Sequence, residues 1–232
     1  HADIAYFYGE ESPVTGLFEF DVPKGLPIQY AYDFVNSDML HDALSVDSGE
    51  IVAKGGARYK ALYLGGRSKV MTLPTLKRIA TMVDAGATVI GQMPQRSPSL
   101  KDDAGEFAGL ASRLWASPNV IASDDAEASL ATSGTGPDFS FDSVETGSEI
   151  LFVHRKLADG DIYFLNNRKN RREMIGRSHR PTPTPWPSAW DANSIASAKC
   201  SGRSRTICAR RSPRSACAPN SSMTLANVNG FS

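Results

Sequence analysis

No apolar run in this 232-residue chain approaches the roughly 20 residues needed to cross a bilayer, which excludes a spanning helix. The Gly-x-Ser-x-Gly elbow of α/β-hydrolases is absent. So are the Walker spacing and the Gly-x-Gly-x-x-Gly fingerprint, which removes the two best-known nucleotide cradles. Cysteine is missing from the first 199 residues. The three that occur (Cys200, Cys208, Cys217) are spaced by 8 and 9, which matches no zinc pattern. Apolar residues are scarce beyond position 170: six of the last 62 residues are Ile, Leu, Val or Phe, too few to bury a core against chain entropy.

The zero net charge averages two unlike parts. Residues 1–170 hold 15 Lys+Arg against 23 Asp+Glu, whereas residues 171–232 hold 10 against 2. The nine arginines of the basic part come without a folded aromatic platform, so nucleic acid is not an expected partner. The first residue is His rather than Met, and strand-like sequence follows at once, as in a processed product or a piece of a longer polypeptide.

Residues 3–8, Asp-Ile-Ala-Tyr-Phe-Tyr, read as a buried strand that opens at Gly9-Glu10-Glu11. Prolines and glycines make 12–29 a loop, and Tyr30–Leu40 reads as a strand tip entering a helix capped by Asn36 or Ser37. Arg58–Leu64 forms a strand closed by Gly65-Gly66. Thr72 can cap a helix that tolerates Pro74 in its first turn, and Leu73, Leu76, Ile79, Ala80 and Val83 give that helix one apolar face. Gly86 stops it, and Ala87–Gly91 is a second short buried strand, completing a βαβ unit with parallel strands. Asp102–Trp115 predicts another amphipathic helix and Val120-Ile121 another short strand, while 123–137 reads as a linker or poorly packed loop. Two β-rich runs at 150–168 flank Asp159-Gly160 and predict a hairpin with those residues in its turn.

The expected fold class is α/β: a flavodoxin-like or amidotransferase-like parallel sheet with flanking helices over 1–137, the first strands of a β-sandwich over 138–170, and a disordered tail over 171–232. Ligands of such open sheets lie at the carboxyl ends of the strands. Glu10, Asp33 and Asn36 fall there and are the candidate substrate-binding residues. Each also has a structural reading, as solvated group, turn former or helix cap. Glu10 and Glu11 alone are no catalytic dyad, because neighbours on a strand point to opposite faces. Gly65–Lys69 reads as a plain βα turn rather than a phosphate cradle, and Asp102-Asp103 as acidic residues favoured at a helix start. Asp159-Gly160-Asp161 lacks the remaining positions of a calcium loop. His154, with no partner ligand at motif spacing, reads as a packing residue, so neither a metal ligand nor a catalytic residue is assigned.

The segments His1–Glu11, Tyr32-Asp-Phe-Val-Asn, the strand before Gly65, Met71-Thr-Leu-Pro, Asp84–Gly91, Ser97-Pro-Ser-Leu and Phe152-Val-His-Arg…Gly160–Arg168, in this order, resemble bacterial α-L-rhamnosidases of glycoside hydrolase family 106. The resemblance covers roughly residues 1–170 and is to the C-terminal half of such enzymes. It implies a parent hydrolase of terminal α-L-rhamnosides, secreted or periplasmic, whose catalytic (β/α)8 barrel and inverting pair of carboxylates lie upstream of His1. It also implies calcium at the parent's sugar site, none within this stretch, and a rhamnose-containing glycoside as partner. Two rival readings stand beside it: a non-catalytic module for interdomain packing or oligomerisation, and a stand-alone flavodoxin-like or amidotransferase-like ligand-binding domain. The resemblance breaks off after Arg168, which suggests an out-of-frame or otherwise aberrant tail.

Overall fold

The computed structural model describes residues 1–11, 29–65, 68–143, 146–157 and 160–168, together with three strand segments further on. The chain divides into two compact units, Ala2–Gly136 and His1 with Pro137–Ser232. In chain order the first unit contains β1 (Ile4–Phe7), β2 (Tyr32–Val35), α1 (Ser37–Asp42), β3 (Leu44–Asp47), β4 (Glu50–Ala53), β5 (Arg58–Tyr59), β6 (Ala61–Tyr63), α2 (Leu73–Asp84), β7 (Val89–Ile90), α3 (Ala104–Trp115), β8 (Val120–Ile121) and α4 (Ala126–Thr132).

Five of these strands form one sheet in the order β2-β1-β6-β7-β8, and every pair is parallel. Numbered among themselves they run 2-1-3-4-5, the flavodoxin-like order, with the switch point between β1 and β6. Ile4 and Tyr6 alternate with Ala5 and Phe7, and all four are buried, as a strand covered on both faces requires. One core cluster joins Ile4, Tyr6, Tyr30, Ala61, Tyr63 and Ile90 to Ala126 and Leu130 of α4. The apolar face of α2 buries Leu73, Leu76, Ile79, Met82 and Val83. That burial contributes on the order of 10 kcal/mol before chain entropy is set against it. Gly86 ends the helix in the left-handed region (φ 99°), and its amide and that of Ala87 return to the carbonyls of Val83 and Met82.

Three local features depart from the sequence reading. The expected strand at 58–64 is two strands divided at Lys60. β5 pairs antiparallel with β4 in a small sheet of order β3-β4-β5, while β6 joins the parallel sheet. The Lys60 amide between them donates to the Asp3 carbonyl (2.7 Å). The stretch read as a linker contains α4, capped by the Asp125 carboxylate on the Ala128 amide (2.9 Å). Its buried face is Ala126, Ser129 and Leu130, so small residues at helical spacing hide it from a hydropathy reading. Thr72 holds the N-cap position of α2 without capping it through its side chain.

The second unit contains β9 (Phe141–Ser143), β10 (Ile150–Leu157), β11 (Gly160–Asn167), β12 (Glu173–Arg177), β13 (Arg205–Arg210) and β14 (Met223–Leu225). They form two three-stranded antiparallel sheets, β10-β11-β13 and β14-β12-β9. The hairpin is present, but its register pairs Leu157 with Gly160, so Gly160 is the first residue of β11 rather than a central turn residue. Asp159 lies outside the described residues. The strands β12, β13 and β14 fall in the stretch expected to be structureless. There β13 pairs with β11, and β12 lies between β14 and β9. Gly66, Arg67, Cys200 and Cys217 lie outside the described residues.

Candidate functional site

The switch point of the sheet lies where β1 and β6 end. Beyond β1 the chain turns at Gly9 (φ 85°), which brings Glu10 and Glu11 to the start of α2. Both oxygens of Glu10 are engaged. Oε2 accepts from the Thr72 amide (2.8 Å), and the Thr72 and Thr75 hydroxyls donate to the carboxylate at 3.1 to 3.2 Å. Glu11 accepts from the Val70 amide. Asp102, ahead of α3, accepts from the Leu73 amide (2.7 Å) and the Ser97 hydroxyl (2.5 Å). Three carboxylates from distant segments thus supply the amides entering α2, where the helix dipole favours negative charge. The Ser97 hydroxyl first, and the Leu73 amide next, hold the Asp102 carboxyl below the usual range.

These bonds decide what the end of the sheet can bind. A helix N-terminus attracts phosphate when its amides face outward without partners. Here protein carboxylates hold them, and a phosphate would meet the negative charge of Glu10, Glu11 and Asp102. At the same place Gly65 (φ 35°) lies against Tyr6: a Cβ at Gly65 would stand 2.5 Å from the Tyr6 hydroxyl. The tyrosine therefore packs onto the backbone at the switch point.

The three candidate substrate-binding residues do not converge. Among the described residues, Glu10 meets the start of α1 through Thr75, whose hydroxyl also bonds the Ser37 hydroxyl (2.7 Å). Asn36 caps α1, its side-chain oxygen accepting from the Met39 amide (2.8 Å). Asp33 is exposed and accepts from the Tyr59 hydroxyl (3.1 Å). Burial, reinforced by the Asp33 charge, pushes Tyr59 up to about 12, so this hydroxyl stays a donor at any physiological pH.

A second cluster lies in the other unit, around His154. The β10–β11 register sets His154 opposite Tyr163, and the rings stack with centroids 4.2 Å apart at 13°. Nδ1 lies 2.6 Å from Asp138 and Nε2 2.8 Å from Asp161, while the Tyr163 hydroxyl donates to the other Asp138 oxygen (3.2 Å). Burial pushes the imidazole down, but the bonds to Asp138 and Asp161 outweigh it and raise the group above the ordinary histidine value. His1 completes the group, edge-on to His154 with ring centroids 5.0 Å apart. The sequence reading missed the cluster because Asp138 lies 16 residues from His154 and His1 lies 153 away, which no spacing rule covers.

The family model for alpha-L-rhamnosidase, glycoside hydrolase family 106, matches residues 1–201. The chain belongs to this family. The match runs past Arg168, where the sequence reading had placed the end of the resemblance. Among curated proteins, the chain is 35% identical over 198 residues to one from Formosa agariphila named "Putative beta-glucuronidase", covering 83% of this chain and 16% of that protein. Among solved structures, it is similar to the rhamnosidase from Novosphingobium sp. PP1Y, with a TM-score of 0.75 and 33% identity, covering 98% of this chain and 24% of that one. The family 106 chain described here therefore spans a minor part of the length of these relatives, and its α/β fold is consistent with that rhamnosidase.

Proposed function

We propose that this chain is a supporting, non-catalytic part of a longer glycoside hydrolase that removes terminal α-L-rhamnosyl residues. The observation that carries the reading is the use of the acidic groups at the switch point. Glycoside hydrolysis with inversion needs two carboxyl groups facing each other across a sugar, with room for a water between them. Glu10, Glu11 and Asp102 instead accept hydrogen bonds from the amides of Thr72, Val70 and Leu73, at and just before the start of α2. The catalytic acid and base then belong to parts of the parent outside these residues, as does any calcium at its sugar site. Glu10 and Asn36 act as helix caps, and Asp33 fixes Tyr59. A bacterial, secreted or periplasmic parent acting on rhamnose-containing glycosides fits this reading.

The test is direct. The 232-residue chain, incubated with an aryl α-L-rhamnoside, releases no aglycone above the buffer rate. Turnover that rises with protein concentration overturns the proposal. The flavodoxin-like ligand-binding alternative keeps its support from the strand order alone, since the helix start that would hold a phosphate is capped from within.

A further inference from the structure

We infer that His1, Asp138 and His154 form a site for a divalent transition-metal ion of the zinc class, with Asp161 orienting the histidine from behind. One ligand atom from each of the three residues lies within 4.8 Å of the others. Two imidazoles and one carboxylate are a donor set that suits zinc, iron or nickel and does not suit calcium, which takes oxygen ligands. The site is therefore different in kind from a calcium site on a sugar, and it holds whether or not the parent cleaves rhamnosides.

The surroundings of His154 carry the inference further than proximity does. A metal-bound histidine almost always gives its second ring N–H to a carboxylate, a backbone carbonyl or water, which fixes the ring and raises its basicity. His154 has that arrangement: Nε2 faces Asp161 at 2.8 Å while Nδ1 faces Asp138. The ring is clamped by its stack on Tyr163, whose hydroxyl also holds the outer oxygen of Asp138. His154 is 3% exposed, so its side chain is fixed, whereas His1 is exposed and brings the open side of the site to solvent. Two acidic side chains, Asp138 and Asp161, flank the His154 imidazole and favour a cation there.

The metal takes the place of the proton between Nδ1 and Asp138. Zinc–nitrogen and zinc–oxygen bonds of about 2.0–2.2 Å at a tetrahedral angle set the two atoms roughly 3.4 Å apart. The present gap is 2.6 Å, so Asp138 need retreat by less than an ångström. Three protein ligands leave the fourth position for water or a further group.

Cobalt(II) and zinc titrations of the full chain test the site, with Cys200→Ser, Cys208→Ser and Cys217→Ser as the background so that thiolates do not compete. The expected result is one cobalt per chain with visible d–d bands and a rise in melting temperature on adding zinc. Asp138→Asn abolishes binding. His1→Ala weakens it at least tenfold. Asp161→Asn weakens it roughly 10–100-fold. Two outcomes overturn the inference: no saturable binding at one ion per chain, or equal affinity in the parent chain, Asp138→Asn and His1→Ala.

Discussion

Replacing Glu10 by alanine isolates the contribution of a side chain that caps a helix from 62 residues away. The mutation removes the acceptor of the Thr72 amide, and hydrogen bonds to a charged group contribute about 1.5–3 kcal/mol each. It also removes a negative charge from the positive end of α2, which contributes about 0.3–1 kcal/mol. Two effects offset these losses. The Thr72 and Thr75 hydroxyls stay bonded to each other at 3.0 Å, and Asp102 still holds the Leu73 amide. The net cost comes to about 2 kcal/mol, a factor of roughly 30 in the local opening equilibrium. Amide hydrogen exchange at Thr72 and its neighbours reads it directly, whereas a melting curve of a two-unit chain mixes both transitions. Glu10→Gln keeps an acceptor and loses the charge, so it costs about 1 kcal/mol, or roughly fivefold in exchange. If Glu10→Ala leaves those amides within twofold of the parent rate, the capping argument fails, and with it the main objection to Glu10 as a ligand-binding residue.

Asp102 titrates below its unfolded value of about 3.9, so its stabilisation is present above that pH and disappears as pH falls through the lower, folded value. Protection of the Leu73 amide should fall in that window, and Asp102→Asn should make it independent of pH there. Gly65→Ala drives a Cβ into Tyr6 and should cost about 1–3 kcal/mol by denaturant unfolding. Adding Tyr6→Phe removes the hydroxyl at 2.5 Å but leaves the ring carbon at 2.8 Å, so the double variant should be somewhat less destabilised than the sum of the two; strict additivity would show that the hydroxyl contact is not the cause. Leu130→Ala, in the core cluster beneath α4, should cost about 2–5 kcal/mol. A value under 0.5 kcal/mol would mean that α4 does not pack there.

The parts of the fold that could be read from sequence are those where one local signal suffices. The apolar face of α2, the stop at Gly86 and the buried runs of β1 and β7 depend on periodicity and on a single backbone conformation, both visible in a short window. The missed parts depend on partners far away in sequence. Lys60 carries no mark of the change of sheet, because β5 and β6 differ only in which strands meet them. Helix α4 is short, and its interior face is two small residues and one leucine. The site shows the same division. Asn36 was legible as a cap from its place before Ser37, and the acidic Asp102-Asp103 pair was legible as a helix start. That Asp102 serves α2 while Asp103 serves α3 was not, since the assignment depends on tertiary approach. The histidine cluster was invisible for the same reason.

The acids at the start of α2 have a kinetic consequence. A helix capped by its own neighbouring residue can complete its first turn as soon as it nucleates. This one must wait for loops of 62 and 29 residues to close before Thr72 and Leu73 find their acceptors. Closing such loops costs entropy that the later contacts repay. The C-terminal turns of α2, with Gly86 and the buried Ile79, Met82 and Val83, should therefore form early in folding. Its N-terminal turn should lock last, so that Glu10 variants speed unfolding while leaving the folding rate nearly untouched.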